Sequence, residues 1–160
     1  MSHKWDFTKL GISLGVCLGA GGIGSLFTKS SLSTWYPLLA KPGFTPPSWV
    51  FPIVWTSLYL MMGSSLYLVW KKTFIKPRLK RAFNIFGIQL VLNVAWSAAF
   101  FGFRSPLLGL YVIAALWAAI LITIHRFYRN SHLAAKLLVP YFIWVTFAAV
   151  LNFFIWKLNK

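Results

Sequence analysis

Acidic side chains are all but missing. The 160 residues hold one, Asp6, against sixteen Lys and Arg. General acid–base work by paired carboxylates is thereby excluded, as is a proton relay built on intramembrane Asp or Glu. Cysteine is as scarce: Cys17 alone cannot form an internal disulfide and lies in an apolar stretch. The histidines His3, His125 and His132 lie at or beyond the ends of apolar stretches with no carboxylate or cysteine beside them, so no metal site is expected. A Ser–His–acid set, a phosphate loop and a dinucleotide fingerprint are all lacking. Conventional enzymatic groups are therefore absent, and no cofactor is required by anything in the chain.

What fills the sequence is apolar. Hydrophobic residues make up 59%, aromatics 19% and charged residues 11%, whereas soluble domains carry about 25% charge. A soluble fold would need a larger core than a chain of this size can enclose. Stretches free of Asp, Glu, Lys, Arg and His run Leu10–Thr28, Trp49–Trp70, Ala82–Phe103, Ser105–Ile124 and Leu137–Trp156. Each is about the 20 residues that a helix needs to cross a bilayer. The fold class expected is all-α, one domain over 1–160. Its five transmembrane helices fall at about 7–28, 48–70, 82–103, 105–125 and 137–157, with a loop at about 29–47. The first stretch lacks a clear small-residue cleavage site, so it reads as a span rather than a cleaved signal.

The basic residues fall between the spans, where anionic headgroups meet them, which points to membrane lipid and away from nucleic acid. Eleven lie on the N-terminal side (Lys4, Lys9, Lys71, Lys72, Lys76, Arg78, Lys80, Arg81, Arg126, Arg129, Lys136) and five on the other (Lys29, Lys41, Arg104, Lys157, Lys160). In a bacterium this asymmetry puts the N-terminus in the cytoplasm and the first loop outside. In an organelle the same asymmetry is read against that compartment.

The first loop holds Trp35, Tyr36, Phe44 and four prolines, Pro37, Pro42, Pro46 and Pro47. A long, stiffened loop reads either as a lid or as an interfacial anchor. Helix one carries Gly11, Gly15, Gly19, Ala20, Gly22 and Gly24, a close-packing pattern that suits internal contacts or a dimer seam. Ala95 and Ala99 on helix three, and Ala114, Ala115, Ala118 and Ala119 on helix four, offer the same choice. Five helices cannot split into equal inverted halves, which argues against inverted-repeat transporters. Inside the spans the remaining chemistry is aromatic and amide. Trp49, Trp55, Tyr59, Tyr67 and Trp70 lie on or beside helix two, and Tyr141, Trp144 and Asn152 on helix five. Gln89, Asn93, Trp96 and Ser97 recur every three to four residues along one face of helix three. Trp49, Trp70 and Trp156 also read as interfacial belt residues.

The stretch Trp35-Tyr36-Pro37-Leu38-Leu39-Ala40-Lys41-Pro42-Gly43-Phe44-Thr45-Pro46-Pro47-Ser48-Trp49-Val50-Phe51 is specific. With Val54-Trp55-Thr56-Ser57-Leu58-Tyr59, Gln89-Leu90-Val91-Leu92-Asn93-Val94-Ala95-Trp96 and Pro140-Tyr141-Phe142-Ile143-Trp144, it resembles the translocator protein family. That family comprises the TspO/MBR proteins, including tryptophan-rich sensory proteins and peripheral-type benzodiazepine receptors. The resemblance covers nearly the whole chain. It implies a five-helix bundle, often a homodimer, with a pocket roofed by the first loop. The implied ligands are porphyrins, notably protoporphyrin IX, and benzodiazepine-type molecules. By motif, Trp55, Asn93, Trp96, Ser97, Trp144 and Ala148 would line that pocket, with a helix-one wall from Gly19 to Ile23. Trp35, Trp49 and Tyr59 join the candidate ligand-binding set. Trp55 and Trp144 match the tryptophans that the resemblance ties to light-dependent porphyrin degradation, and would be catalytic only in that case. A cholesterol-recognition pattern would need a central Tyr, where this chain reads Leu151-Asn152-Phe153-Phe154-Ile155-Trp156-Lys157, so sterol is not the expected ligand.

A porphyrin is a flat π-system with two carboxylates. Indoles can stack on the macrocycle, Asn93 can serve as a polar handle, and Lys29 and Lys41 are the cations nearest the loop. The expected function is a membrane receptor or sensor for porphyrins. Light-dependent degradation, passive transport of porphyrin or lipid, and a scaffold whose pocket merely accepts apolar molecules stand as alternatives.

Overall fold

A computed structural model describes residues 6–72 and 76–160. Among these residues the regular structure is helical: α1 (Phe7–Thr34), α2 (Val50–Lys72), α3 (Lys76–Ser97), α4 (Pro106–Tyr128) and α5 (His132–Leu158). A 3-10 turn (Tyr36–Leu38) follows α1, and a π-helical turn (Ala98–Gly102) continues α3. Five helices are long and apolar enough to cross a membrane, as the charge-free stretches require.

The helix ends differ from the expectation. α1 runs on to Thr34, α3 begins at Lys76 rather than near Ala82, and α5 begins at His132 rather than near Leu137. Charge-free windows mark the part of a helix that lipid tolerates, and the helix itself has no reason to stop there. Lys and Arg are good helix formers whose long stems let their heads reach the headgroups. At the end of α1, the Trp35 amide continues the ladder to the Ser31 carbonyl at 3.0 Å, and Thr34 Oγ1 adds a bond to the Ser30 carbonyl at 2.7 Å. The first loop is accordingly residues 35–49.

Three starts are capped by side chains. Asp6 accepts from the Lys9 amide at 3.1 Å, Ser105 from Leu108 at 3.2 Å and Ser131 from Ala134 at 3.4 Å. The π-helical turn places Ala99, Phe100 and Phe101 all inside, where the helices crowd together. It ends in a tight turn, with Arg104 in the left-handed region at φ 52°.

The principal contacts close a ring in the order α1–α2–α5–α4–α3. Lipid supplies no hydrophobic drive between helices, so close approach and hydroxyl bonds hold them. A Cβ on Gly63 would come within 2.9 Å of the Leu14 Cα. Ser65 donates to the Ala134 carbonyl at 2.7 Å and Ser31 to the Phe101 carbonyl at 2.6 Å. The glycines of α1 divide between two faces. Gly21 and Gly24 face Tyr59 and Ser97, whereas Gly11, Gly15, Gly19 and Gly22 have nothing beside them. The loop crosses one end of the bundle, with Phe44 against Phe147 and Phe154 and Ala40 exchanging two hydrogen bonds with Asn159.

Candidate ligand pocket

Two polar networks cross the interior, and each ties several helices. In the first, Tyr59 donates to Asn93 Oδ1, Asn93 Nδ2 donates to Tyr141 Oη at 2.8 Å, and Tyr141 donates to Gln89 Oε1 at 2.8 Å. In the second, Trp96 Nε1 donates to Asn152 Oδ1 at 3.1 Å, and Asn152 Nδ2 donates to the Pro106 carbonyl at 2.7 Å. Asn93 and Asn152 are each 1% exposed. Amides buried in lipid need partners, and these have found them within the protein.

Beside the first network lies a cavity of about 340 Å³. Its wall from α1 is Gly21, Gly24, Ser25, Thr28, Lys29 and Leu32; from α2, Phe51, Pro52, Trp55 and Tyr59; from α3 and its π-helical extension, Trp96, Ser97 and Phe101. The space exists because α1 presents glycine and small hydroxyl residues where the other helices present rings. Both hydroxyl residues are turned back on their own helix, Ser25 to the Gly22 carbonyl at 2.7 Å and Thr28 to Gly24 at 3.1 Å. The surface that a ligand would meet is therefore apolar and aromatic, with Lys29 as the cation in the lining. Trp55 sits at the centre of the aromatic side, its ring 5.8 Å from Tyr59, 6.1 Å from Trp96 and 6.3 Å from Tyr141. The volume falls within the roughly 300–1,000 Å³ typical of ligand sites.

A second space of about 20 Å³ lies across Phe51, Trp96 and Phe101, which line both. Its other walls include Tyr36, Ala148, Leu151 and Asn152. Two buried polar groups in this region have no hydrogen-bond partner among the described residues, the Tyr36 hydroxyl and the Trp144 Nε1. Such groups carry a desolvation cost that a ligand or water could relieve.

The candidate residues fall into distinct places. Trp55, Tyr59, Trp96, Ser97 and Lys29 line the larger cavity, and Ala148 lines the small one. Trp144 lines neither; its ring packs on Phe51 at 6.0 Å and Phe147 at 5.4 Å. Asn93 lies behind Tyr59, engaged by two tyrosines. Gly19 and Ile23 lie on the outer face of α1, with Ile23 53% exposed. Trp35 packs edge-on against Phe100 at 5.6 Å, and Trp49 is 67% exposed just before α2. Lys41 donates to the carbonyls of Tyr36 and Leu39, both at 2.9 Å, and lies over the Tyr36 ring, so it staples the loop. The loop contributes Tyr36 to the small space and nothing to the lining of the larger one.

Sequence reasoning passed over Gly24, Ser25, Thr28, Leu32, Phe51, Pro52 and Phe101, while its helix-one wall from Gly19 to Ile23 took in Gly21. A signal for some of them was present. Gly21, Gly24, Ser25 and Thr28 recur at three- and four-residue intervals, and Phe51 stands four before Trp55.

The TspO/MBR family profile matches residues 13–157. The tryptophan-rich protein TspO of Chlorobaculum tepidum is 47% identical over 150 residues, 94% of this chain and 95% of that protein. The tryptophan-rich protein TspO of Archaeoglobus fulgidus is 44% identical over 154 residues, covering 96% and 99%. The human translocator protein is 36% identical over 162 residues, covering 99% and 94%. With five helices fit to span a bilayer and a match along nearly its whole length, the chain is an integral, multi-pass membrane protein and belongs to the TspO/MBR family.

Proposed function

We propose that this protein is a membrane receptor for flat, apolar, aromatic molecules bearing an anionic group, with porphyrins such as protoporphyrin IX as the class that fits best. The observation that carries the reading is the composition of the larger cavity: an aromatic side made by Trp55, Tyr59 and Trp96, an apolar side made by α1, and Lys29 in the lining. Ring stacking on an indole contributes about 0.5–1.5 kcal/mol beyond area burial. Lys29 is an exposed residue of the lining, so its attraction for a ligand carboxylate is open to screening by salt. Asn93 acts indirectly, by holding Tyr59 in the cavity wall.

By the distribution of basic residues, the N-terminus faces the cytoplasm in a bacterium and Lys29 lies toward the outer side. A second copy of the chain is the natural partner for the open stripe of α1, where Gly11, Gly15 and Gly19 would let another backbone approach closely.

Titration of the purified protein in nanodiscs with protoporphyrin IX in the dark, followed by Trp quenching, tests the reading. Saturable quenching that Trp55→Phe and Lys29→Gln each weaken is expected. Unsaturable quenching, the same in all three proteins, would overturn it. Illumination of the complex separates the receptor from a degrading protein. A new absorption band that grows with light and depends on Trp55 would place degradation first, since that indole borders the cavity.

A further inference from the structure

Four of the chain's five arginines, Arg78, Arg81, Arg126 and Arg129, line one cleft, and none of the described lysines does. The cleft lies between the start of α3 and the end of α4, has a volume of about 350 Å³ and is completed by Pro77 and Asn130. It is at the opposite end of the bundle from Lys29. Among the described residues no carboxylate serves these guanidinium groups: Asp6, the one acidic side chain, is paired with Lys9 at 3.3 Å.

Helix electrostatics sort the four into two kinds. Arg126 and Arg129 stand at the end of α4, where the helix dipole favours cations with or without a ligand. Asn130 already closes that end by donating to the Arg126 carbonyl at 2.8 Å. Arg78 and Arg81 occupy the first two turns of α3, among Lys76 and Lys80, where the same dipole disfavours them. Mutual repulsion across the cleft adds to that cost. An anion between the helices relieves both terms, because the α3 N-terminus and the four guanidinium groups then face one negative charge and together oppose the repulsion from the α4 C-terminus. The choice of arginine over lysine selects the geometry of the anion. A guanidinium presents a planar fork that matches two oxygens of one phosphate, whereas an ammonium is a point charge.

We propose that the Arg78–Arg81–Arg126–Arg129 cleft is a phosphate-binding site. Its height on the bundle, just beyond the charge-free stretches that begin at Ala82 and end at Ile124, is that of a headgroup layer. An anionic phospholipid headgroup and a free phosphate compound share the required chemistry.

Native mass spectrometry of the full chain in detergent, with phosphatidylglycerol and phosphatidylcholine offered together, tests the site. Melting is followed in parallel with inorganic phosphate at fixed ionic strength. The variants are Arg81→Gln with Arg126→Gln, Arg81→Lys with Arg126→Lys, and Arg104→Gln, the fifth arginine, outside the cleft. Wild type should retain phosphatidylglycerol in preference. The glutamine pair should lower that retention about tenfold or more, the loss of two charge-assisted forks. The lysine pair should fall between, and Arg104→Gln should match wild type. Unchanged melting in phosphatidylcholine alone shows that a variant is folded, and the charge-preserving lysine pair keeps the test open if the glutamine pair is not. If lipid is not selected but inorganic phosphate raises the wild-type melting temperature and the glutamine pair abolishes the rise, the site stands with a soluble phosphate as its ligand. Equal lipid retention by wild type and the glutamine pair, with no arginine-dependent response to phosphate, overturns the proposal. An equal loss in Arg104→Gln does so too, since it would reduce the effect to overall charge.

Discussion

The two sides of Tyr59 are built on opposite rules. Toward α3 and α5, its hydroxyl enters the chain Tyr59–Asn93–Tyr141–Gln89, in which the buried polar groups bond one another and three helices are locked. Toward α1, its ring borders a cavity in which Ser25 and Thr28 are bonded back to their own helix and, Ser97 and Lys29 apart, the wall is apolar and aromatic. The contrast separates a framework from a receptacle. In lipid, satisfied polar groups hold helices together, while glycine and self-bonded Ser or Thr leave room that nothing of the protein fills.

The largest effect should come from breaking the framework. Asn93→Ala removes the acceptor of Tyr59 and a donor to Tyr141 while leaving both hydroxyls buried, and should destabilise the bundle by about 2 kcal/mol. Thermal unfolding in detergent would measure it, with Tyr59→Phe intermediate because Asn93 keeps its bond to Tyr141. The receptacle should respond differently. Trp55→Phe should weaken porphyrin binding by about 1 kcal/mol, roughly fivefold, with little change in melting. Lys29→Gln should weaken binding by a similar amount, and its effect should shrink as salt rises. Were Lys29→Gln to lower stability and leave binding intact, the division between framework and receptacle would fail.

The smallest effect lies outside both regions. The Asp6 carboxyl is held below its ordinary value of 3.8, chiefly by the hydrogen bond from the Lys9 amide, against a desolvation that acts the other way. A carboxylate with a depressed folded value stabilises above its unfolded value and loses that contribution as pH falls through the folded one. Wild type should therefore melt slightly above Asp6→Asn at about pH 5, and the difference should shrink as pH falls below the ordinary value of 3.8. A difference that persisted in acid would show that the cap acts without its charge.

The spans were legible because charge is intolerable in lipid, and five charge-free windows record that constraint directly. The ends of α1, α3 and α5 were not, because lysine, arginine, serine and threonine continue a helix once it has left the hydrocarbon. Trp55, Tyr59, Trp96 and Ser97 could be read as cavity residues from their motifs and their spacing. The orientation of α1 could not. Gly11, Gly15 and Gly19 on one face and Gly21 and Gly24 on the other are the same residue, so the glycines of the helix alone do not tell its lipid face from its cavity face. Asn93 misled for a related reason: an amide in a span demands a partner, and one helix read alone does not reveal that Tyr59 and Tyr141 supply it.

The location of the ligand is the central claim, and steric blocking tests it most directly. Ser25→Phe places a ring in the larger cavity from a position exposed on α1, whereas Ala148→Leu fills the small space beyond Trp96. With melting unchanged in both, titration with protoporphyrin IX in the dark should show Ser25→Phe losing about tenfold or more in affinity and Ala148→Leu close to wild type. The reverse pattern would contradict the account and place the ligand on the side of Tyr36 and Trp144.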